Sequence, residues 1–181
     1  NRRESHPRRL VLSMTGRRIS VNSGTPFCMV NFERELNCPS GTEALITIAV
    51  LQGLVRDELR LHIPRGLDNG LTPGEITEII LHVTFYAGWP TGVQASLLAA
   101  EVFLERGLLL APLPRADQDV ETVSYTSGAY AAVPRLGELR NSLLYGDIWE
   151  RPLLSKRDRS LIAVAVTQAL YTTNQLRTHI G

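Results

Sequence analysis

The 181-residue sequence predicts an all-α protein. Apolar residues recur at helical spacing along most of the chain, the segments so marked are bounded by caps and stops, and almost nothing alternates as a strand would. The chain also repeats itself. Ile46-Thr47-Ile48-Ala49-Val50, then Leu59-Arg60-Leu61-His62-Ile63, returns as Ile162-Ala163-Val164-Ala165-Val166, then Leu176-Arg177-Thr178-His179-Ile180. The offset is 116 residues from Ala49 to Ala165 and 117 from Leu59 to Leu176. Two apolar runs, each leading to Leu-Arg-x-His-Ile, imply a duplicated unit with one residue gained or lost between the blocks.

Residues 1–40 carry scattered Pro, Gly, Ser and Arg without a period, and are expected to be poorly ordered or strand-like. Glu43 to Leu54 is apolar nearly all round, as in a buried helix. Asp57 is a plausible N-cap for a next helix carrying Leu59, His62 and Ile63. Asp68-Asn69-Gly70 stops that helix, with glycine placed for a left-handed cap. Thr72-Pro73-Gly74-Glu75 combines a capping box with proline at the first helical position, and Ile76, Ile79, Ile80 and Val83 then define a core face.

Gly88-Trp89-Pro90 breaks the pattern. A helix rich in Ala and Leu is predicted from about Thr91 to Arg106, ending at Gly107. Pro112 and Pro114 mark a linker, and a helix is expected near Leu136–Leu144. Ser155-Lys156-Arg157-Asp158 caps the final long apolar helix, and a short turn leads to His179. The expected divisions are a divergent N-terminal segment over 1–42, a first repeat over 43–110, a linker with a short helix over 111–141, and a truncated second repeat over 142–181.

Composition narrows the function. With 19 basic and 18 acidic residues the net charge is +1, which gives no reason to expect nucleic acid or an anionic membrane surface. Arg2, Arg3, Arg8, Arg9, Arg17 and Arg18 are the one basic concentration, and a solvated arm accounts for them. No apolar stretch is long enough to span a bilayer and no signal peptide is visible. Cys28 and Cys38 suit neither a disulfide framework nor a metal site, so free thiols in a reducing cytoplasm are expected. The missing initiator Met and the stop at Gly181 lead us to expect a fragment of a longer protein.

His62 leads the candidates for chemistry. Leu59, His62, Ile63 and Gly66 share one helical stripe, so the imidazole should meet apolar neighbours and have a perturbed proton affinity. The plainer alternative is a core histidine satisfied by a backbone carbonyl. Its return as His179 brings the functional reading level with the plainer one, because duplication of a site or of a scaffold would preserve it equally. Arg60 and Arg65 could take a carboxylate bidentately or simply be solvated. Glu43 and Glu58 are similarly ambiguous. His82 lies on the flank of the Ile79–Val83 face, where a boundary histidine is more often structural. Tyr86 and Trp89 would suit a pocket wall, or packing at a helix end.

Several motifs together resemble the carboxymuconolactone decarboxylase family. They are Leu59-Arg60-Leu61-His62-Ile63, Asp68-Asn69-Gly70-Leu71-Thr72-Pro73-Gly74-Glu75-Ile76, Phe85-Tyr86-Ala87-Gly88-Trp89-Pro90, Gly146-Asp147-Ile148-Trp149-Glu150-Arg151-Pro152 and Arg157-Asp158-Arg159-Ser160-Leu161. The resemblance implies the helical bundle shared with alkylhydroperoxidase D, here one complete repeat plus the first half of a second. It also implies a homo-oligomer without cofactor or metal, and decarboxylation of a small carboxylated lactone in aromatic catabolism. Under it, His62 and His179 are the catalytic candidates, and Arg60, Arg65, His82, Tyr86 and Trp89 the substrate-binding ones. Pro64 departs from the family's pattern and should kink the helix just past His62.

The peroxidase branch of the same superfamily carries Cys-x-x-Cys-x-x-x-His, because one thiolate attacks the peroxide and a second resolves the sulfenic acid. Here Val55 and Glu58 precede His62, and Thr172 and Gln175 precede His179. Thiol peroxidase chemistry is therefore disfavoured. A non-catalytic helical scaffold is the remaining alternative.

Overall fold

The computed structural model describes residues 40–108 and 129–180, all within the compact unit Pro39–Gly181, and among them no strand occurs. Cys28, Cys38, the N-terminal arginines, Pro112 and Pro114 lie outside the described residues, as do the expectations for 1–39.

Helix α1, Ser40–Gly53, packs against the next two helices and the later helix over Lys156–Ala169. Its nearly all-round apolar sequence suits that central place, with Ala44, Leu45, Ile48 and Ala49 buried. The buried Gln52 donates from Nε2 to the Ile80 carbonyl at 3.0 Å. α1 closes with Val55 N–H on the Gln52 carbonyl and Arg56 N–H on the Leu51 carbonyl, a Schellman pattern. Val55 has φ +53°, where a β-branched residue is strained by roughly 1–2 kcal/mol.

Helix α2 spans Leu59–Asp68 and runs through Pro64, which leaves the Arg60 carbonyl without its usual intrahelical donor. The expected Asp57 cap is not formed. Glu58 occupies the N-cap position in helical geometry, and no side chain caps it. The stop behaves as expected: Gly70 has φ +96°, and Leu71 N–H meets the Gly66 carbonyl at 2.9 Å.

Helix α3, Pro73–Ala87, starts with a complete capping box. Glu75 N–H donates to Thr72 Oγ1 at 3.1 Å, and Thr72 N–H donates to Glu75 Oε2 at 2.7 Å. Ile76, Ile79, Ile80 and Val83 are all buried, as their spacing predicts. Helix α4, Trp89–Glu105, begins two residues earlier than Thr91, because Pro90 sits in the first turn, where its missing N–H costs nothing.

α3 and α4 approach closely at Gly92. A Cβ there would lie 2.8 Å from Thr84 Cγ2 and nearer still to Oγ1, whose hydroxyl is engaged with the Ile80 carbonyl. Gly92→Ala should therefore destabilise the fold by about 1–3 kcal/mol despite alanine's better helix propensity. Thermal melting should show the drop, and Thr84→Ala should recover part of it. A raised midpoint in Gly92→Ala would refute the tight contact.

The helix expected near Leu136–Leu144 is divided. Short helices α5, Ala129–Ala132, and α6, Pro134–Leu139, lead into a π-helical segment, Arg140–Ile148, closed by Trp149 N–H on the Leu144 carbonyl at 2.9 Å. Helix α7, Lys156–Ala169, is capped by Ser155 Oγ, which accepts from Asp158 N–H at 3.1 Å. It has 14 residues, as α1 has, and begins 116 residues after it. It also closes on a non-glycine residue in the left-handed region, Tyr171 at φ +56°. Helix α8, Thr173–Ile180, carries His179 and has no buried residue.

Candidate functional site

Beside its apolar face, α3 bears a second stripe at four-residue spacing, Glu78, His82 and Tyr86. The lower end is an ionic knot. Glu78 and Arg159 are fully buried and Arg151 nearly so. Arg151 donates to Glu78 from Nε at 2.9 and 3.1 Å, with Nη2 at 2.8 Å. Arg159 Nη2 reaches Glu78 Oε2 at 3.1 Å and the Arg151 carbonyl at 2.8 Å. Asp147 lies 3.6 Å from Arg151 on the outer side. The knot ties α3 to the turn after the π-helical segment and to the start of α7.

One turn along α3, His82 is fully buried against the start of α7, where the Arg159 backbone and charge both act on its ring. This corrects the expectation of a boundary position. Its pKa is pushed down to about 3 by burial first and then by the Arg159 charge, so the ring is neutral near pH 7. It packs 5.2 Å from Tyr86 and edge-on to Trp149 at 5.0 Å. Trp149 Nε1 donates to Tyr86 Oη at 3.1 Å. Burial holds the Tyr86 pKa well above the ordinary phenol value, so its hydroxyl keeps its proton.

His179 completes the cluster from α8. Its ring stacks on Trp149 with centroids 5.8 Å apart and planes 8° from parallel, and stands edge-on to Tyr86 at 5.4 Å. Tyr145 stacks on Trp149 at 5.9 Å. The i to i+5 winding of the π-helical segment brings Arg140 and Tyr145 to one side, the guanidinium 4.5 Å from the ring centroid. Burial and then the Arg140 charge lower the His179 pKa. The result is a half-buried imidazole on an aromatic floor, beside a cation and above a neutral histidine.

The other predicted residues lie elsewhere. His62 is half-buried on α2, and its pKa is lowered by burial and then by Arg65, with Glu58 opposing. Arg65 is thus the arginine beside it, whereas Arg60 is exposed and paired with Glu101 on α4. Tyr86 and Trp89 do not share a wall, since Trp89 is 72% exposed and faces a groove between α3 and α4. Trp149, Tyr145 and Arg140, and the Glu78–Arg151–Arg159 knot, escaped the residue-by-residue reading. A carboxylate, an imidazole and a phenol at four-residue intervals on an apolar helix were the available signal. Among the described residues no group of His, Cys, Asp and Glu could hold a metal ion, and no helix is long and apolar enough to cross a membrane.

The chain is similar to a 4-carboxymuconolactone decarboxylase of Acinetobacter baylyi, 46% identical over 71 residues. That match takes in 39% of this chain and 53% of the relative, so the chain spans about half of the relative's length. Residues 33–101 match the model of the carboxymuconolactone decarboxylase family. Most of those residues form α1 to α4.

Proposed function

We propose that this chain is a cofactor-independent carboxy-lyase acting on a small carboxylated five-membered lactone, built from a duplicated unit. The observation that carries the reading is the setting of His179, a proton donor held on aromatic rings beside the positive charge of Arg140. The likeness to a 4-carboxymuconolactone decarboxylase supports the substrate class. The equal lengths and common offset of α1 and α7 support the duplication.

Such a substrate holds its own electron sink. The bond to the carboxylate breaks, carbon dioxide leaves, and the electron pair passes through the ring double bond to the lactone carbonyl oxygen. Tyr86, whose hydroxyl accepts from Trp149 and keeps its own hydrogen to donate, meets the developing enolate oxygen. Arg140 attracts the substrate's negative charge. Protonated His179 delivers a proton to ring carbon and is recharged from solvent, so one proton is consumed for each carbon dioxide released. His62 is the counterpart of His179 in the first unit, with Arg65 beside it.

The test is carbon dioxide release from a panel of carboxylated butenolides without added metal or cofactor. Stoichiometric release with lactone consumption is expected, and no release from any member would defeat the reading. A general acid with a lowered pKa is cationic only on the acidic side. The rate constant kcat/KM should therefore fall as pH rises across the interval just below the ordinary imidazole value. A profile that climbs over that interval would assign His179 another role.

A further inference from the structure

We propose that Tyr145 is a positioning residue of the candidate site, holding the Trp149 indole in the plane on which the His179 imidazole lies. Helix α8 contributes no buried residue, so the direction of His179 depends on the ring beneath it. The two rings are 5.8 Å apart and 8° from parallel. Trp149 is itself only half-buried, at the exit of the π-helical segment. Its hydrogen bond to Tyr86 Oη at 3.1 Å holds one edge of the indole and leaves the plane free to tilt about that edge. The Tyr145 ring, stacked on the indole at 5.9 Å with planes 27° apart, removes that freedom. This role rests on the lyase reading, in which His179 delivers the proton.

The winding of the segment makes the arrangement possible. Arg140 and Trp149 are nine residues apart, about 2.5 turns of an α-helix, which would set them on opposite sides. The wider winding over Arg140–Ile148 brings Arg140, Tyr145 and Trp149 to one side instead. The Arg140 guanidinium then lies over the Tyr145 ring, 4.5 Å from its centroid, and braces it. Tyr145 makes both contacts with its ring, so a phenyl ring should serve as well and an aliphatic side chain should not. A misplacement of about 1 Å can cost roughly 100-fold in rate, so loss of the brace should appear in kcat and leave KM nearly unchanged.

Tyr145→Leu and Tyr145→Met keep apolar bulk without a flat face, and Tyr145→Phe keeps the face. On a lactone that the parent decarboxylates, the first two should lower kcat about 10- to 100-fold, and Tyr145→Phe should stay near the parent. A second readout needs no substrate. The chain has two tryptophans, so replacing the exposed one, Trp89→Phe, leaves Trp149 to emit alone. A protonated imidazole stacked on an indole quenches its fluorescence, and a neutral one does so far less. Emission should therefore fall in a step as pH drops through the interval just below the ordinary imidazole value, where His179 takes up its proton. Around His179 stand Arg140 and Tyr145 of the π-helical segment and Tyr86 and His82 of α3, with Arg159 of α7 bearing on His82. His82, at about 3, titrates below that interval.

His179→Gln should abolish the step. Tyr145→Leu and Tyr145→Met should lose most of it with an unchanged circular dichroism spectrum, and Tyr145→Phe should keep it. A parent without the step would overturn the proposal, and so would a full step with parental kcat in Tyr145→Leu and Tyr145→Met. A Tyr145→Phe variant as defective as those two would overturn it as well. If no lactone is decarboxylated the lyase reading falls, and the fluorescence step still decides whether Tyr145 positions the ring under His179.

Discussion

Glu78→Ala is expected to lower stability by about 3–5 kcal/mol, the largest effect of any single side chain in the helical unit. Glu78 is the carboxylate on which Arg151 and Arg159 converge, and Arg159 has no access to solvent. Removing it leaves two cations facing each other in a poorly polarisable interior. Asp147 reaches only Arg151, and only at 3.6 Å. For a chain of this size the loss corresponds to a fall in melting temperature of roughly 6–20 °C. Glu78→Gln retains hydrogen-bond acceptance but not charge, and should fall between. Joint replacement of all three residues by apolar ones of similar volume should cost far less than Glu78→Ala alone, since desolvation of the ions disappears with them. A midpoint within a degree or two of the parent for Glu78→Ala would mean that water already compensates the arginines. The knot also bears on the site, because Arg151 is two residues from Trp149 and anchors the ring on which His179 stacks.

Replacing both repeated histidines, His62→Gln with His179→Gln, is expected to lower kcat/KM by about 10²–10⁴-fold on whichever lactone the parent decarboxylates. Glutamine has similar polarity but cannot carry a proton to carbon. The fold should survive, since both imidazoles are half-buried and no helix packs its core through them. Most of the loss should come from His179→Gln alone. His179 sits among Tyr86, Trp149 and the Arg140 charge, whereas the charged side chains that act on His62 are Arg65 and Glu58 of its own segment. Arg65→Lys should weaken the His62→Gln-sensitive part if Arg65 clamps a carboxylate, while Arg60→Lys should be silent because Arg60 is paired with Glu101. Parent-like rates in the double variant would leave the duplicated helices as a scaffold.

The caps and stops that frame these helices act within a few residues, and they could be read directly. Thr72 with Glu75 starts α3 as expected, and Gly70 and Gly107 occupy the left-handed positions that end α2 and α4. The Ile79–Val83 core face follows from the 3.6-residue period alone. Local rules failed where a local alternative was nearly as good. Asp57 is a suitable capping residue, but the turn from Val55 already satisfies the backbone around it. The π winding of Arg140–Ile148 carries no residue signal that distinguishes it from an α-helix.

Local residue patterns specify a helical chain, the points where most of its helices start and stop, and two histidines that recur in matching contexts. Which side chains meet follows from the packing of distant segments. Glu78 and Arg159 are 81 residues apart, and Tyr86 and Trp149 are 63 apart. Nothing within a few residues of either partner specifies such a pair. His82 became buried and neutral only because Trp149 and α7 close over it, and Trp89 stayed in water only because the break at Gly88 turned it from Tyr86. Helix propensity and capping are properties of short segments, whereas burial, charge pairing and proton affinity belong to the environment that several segments make together.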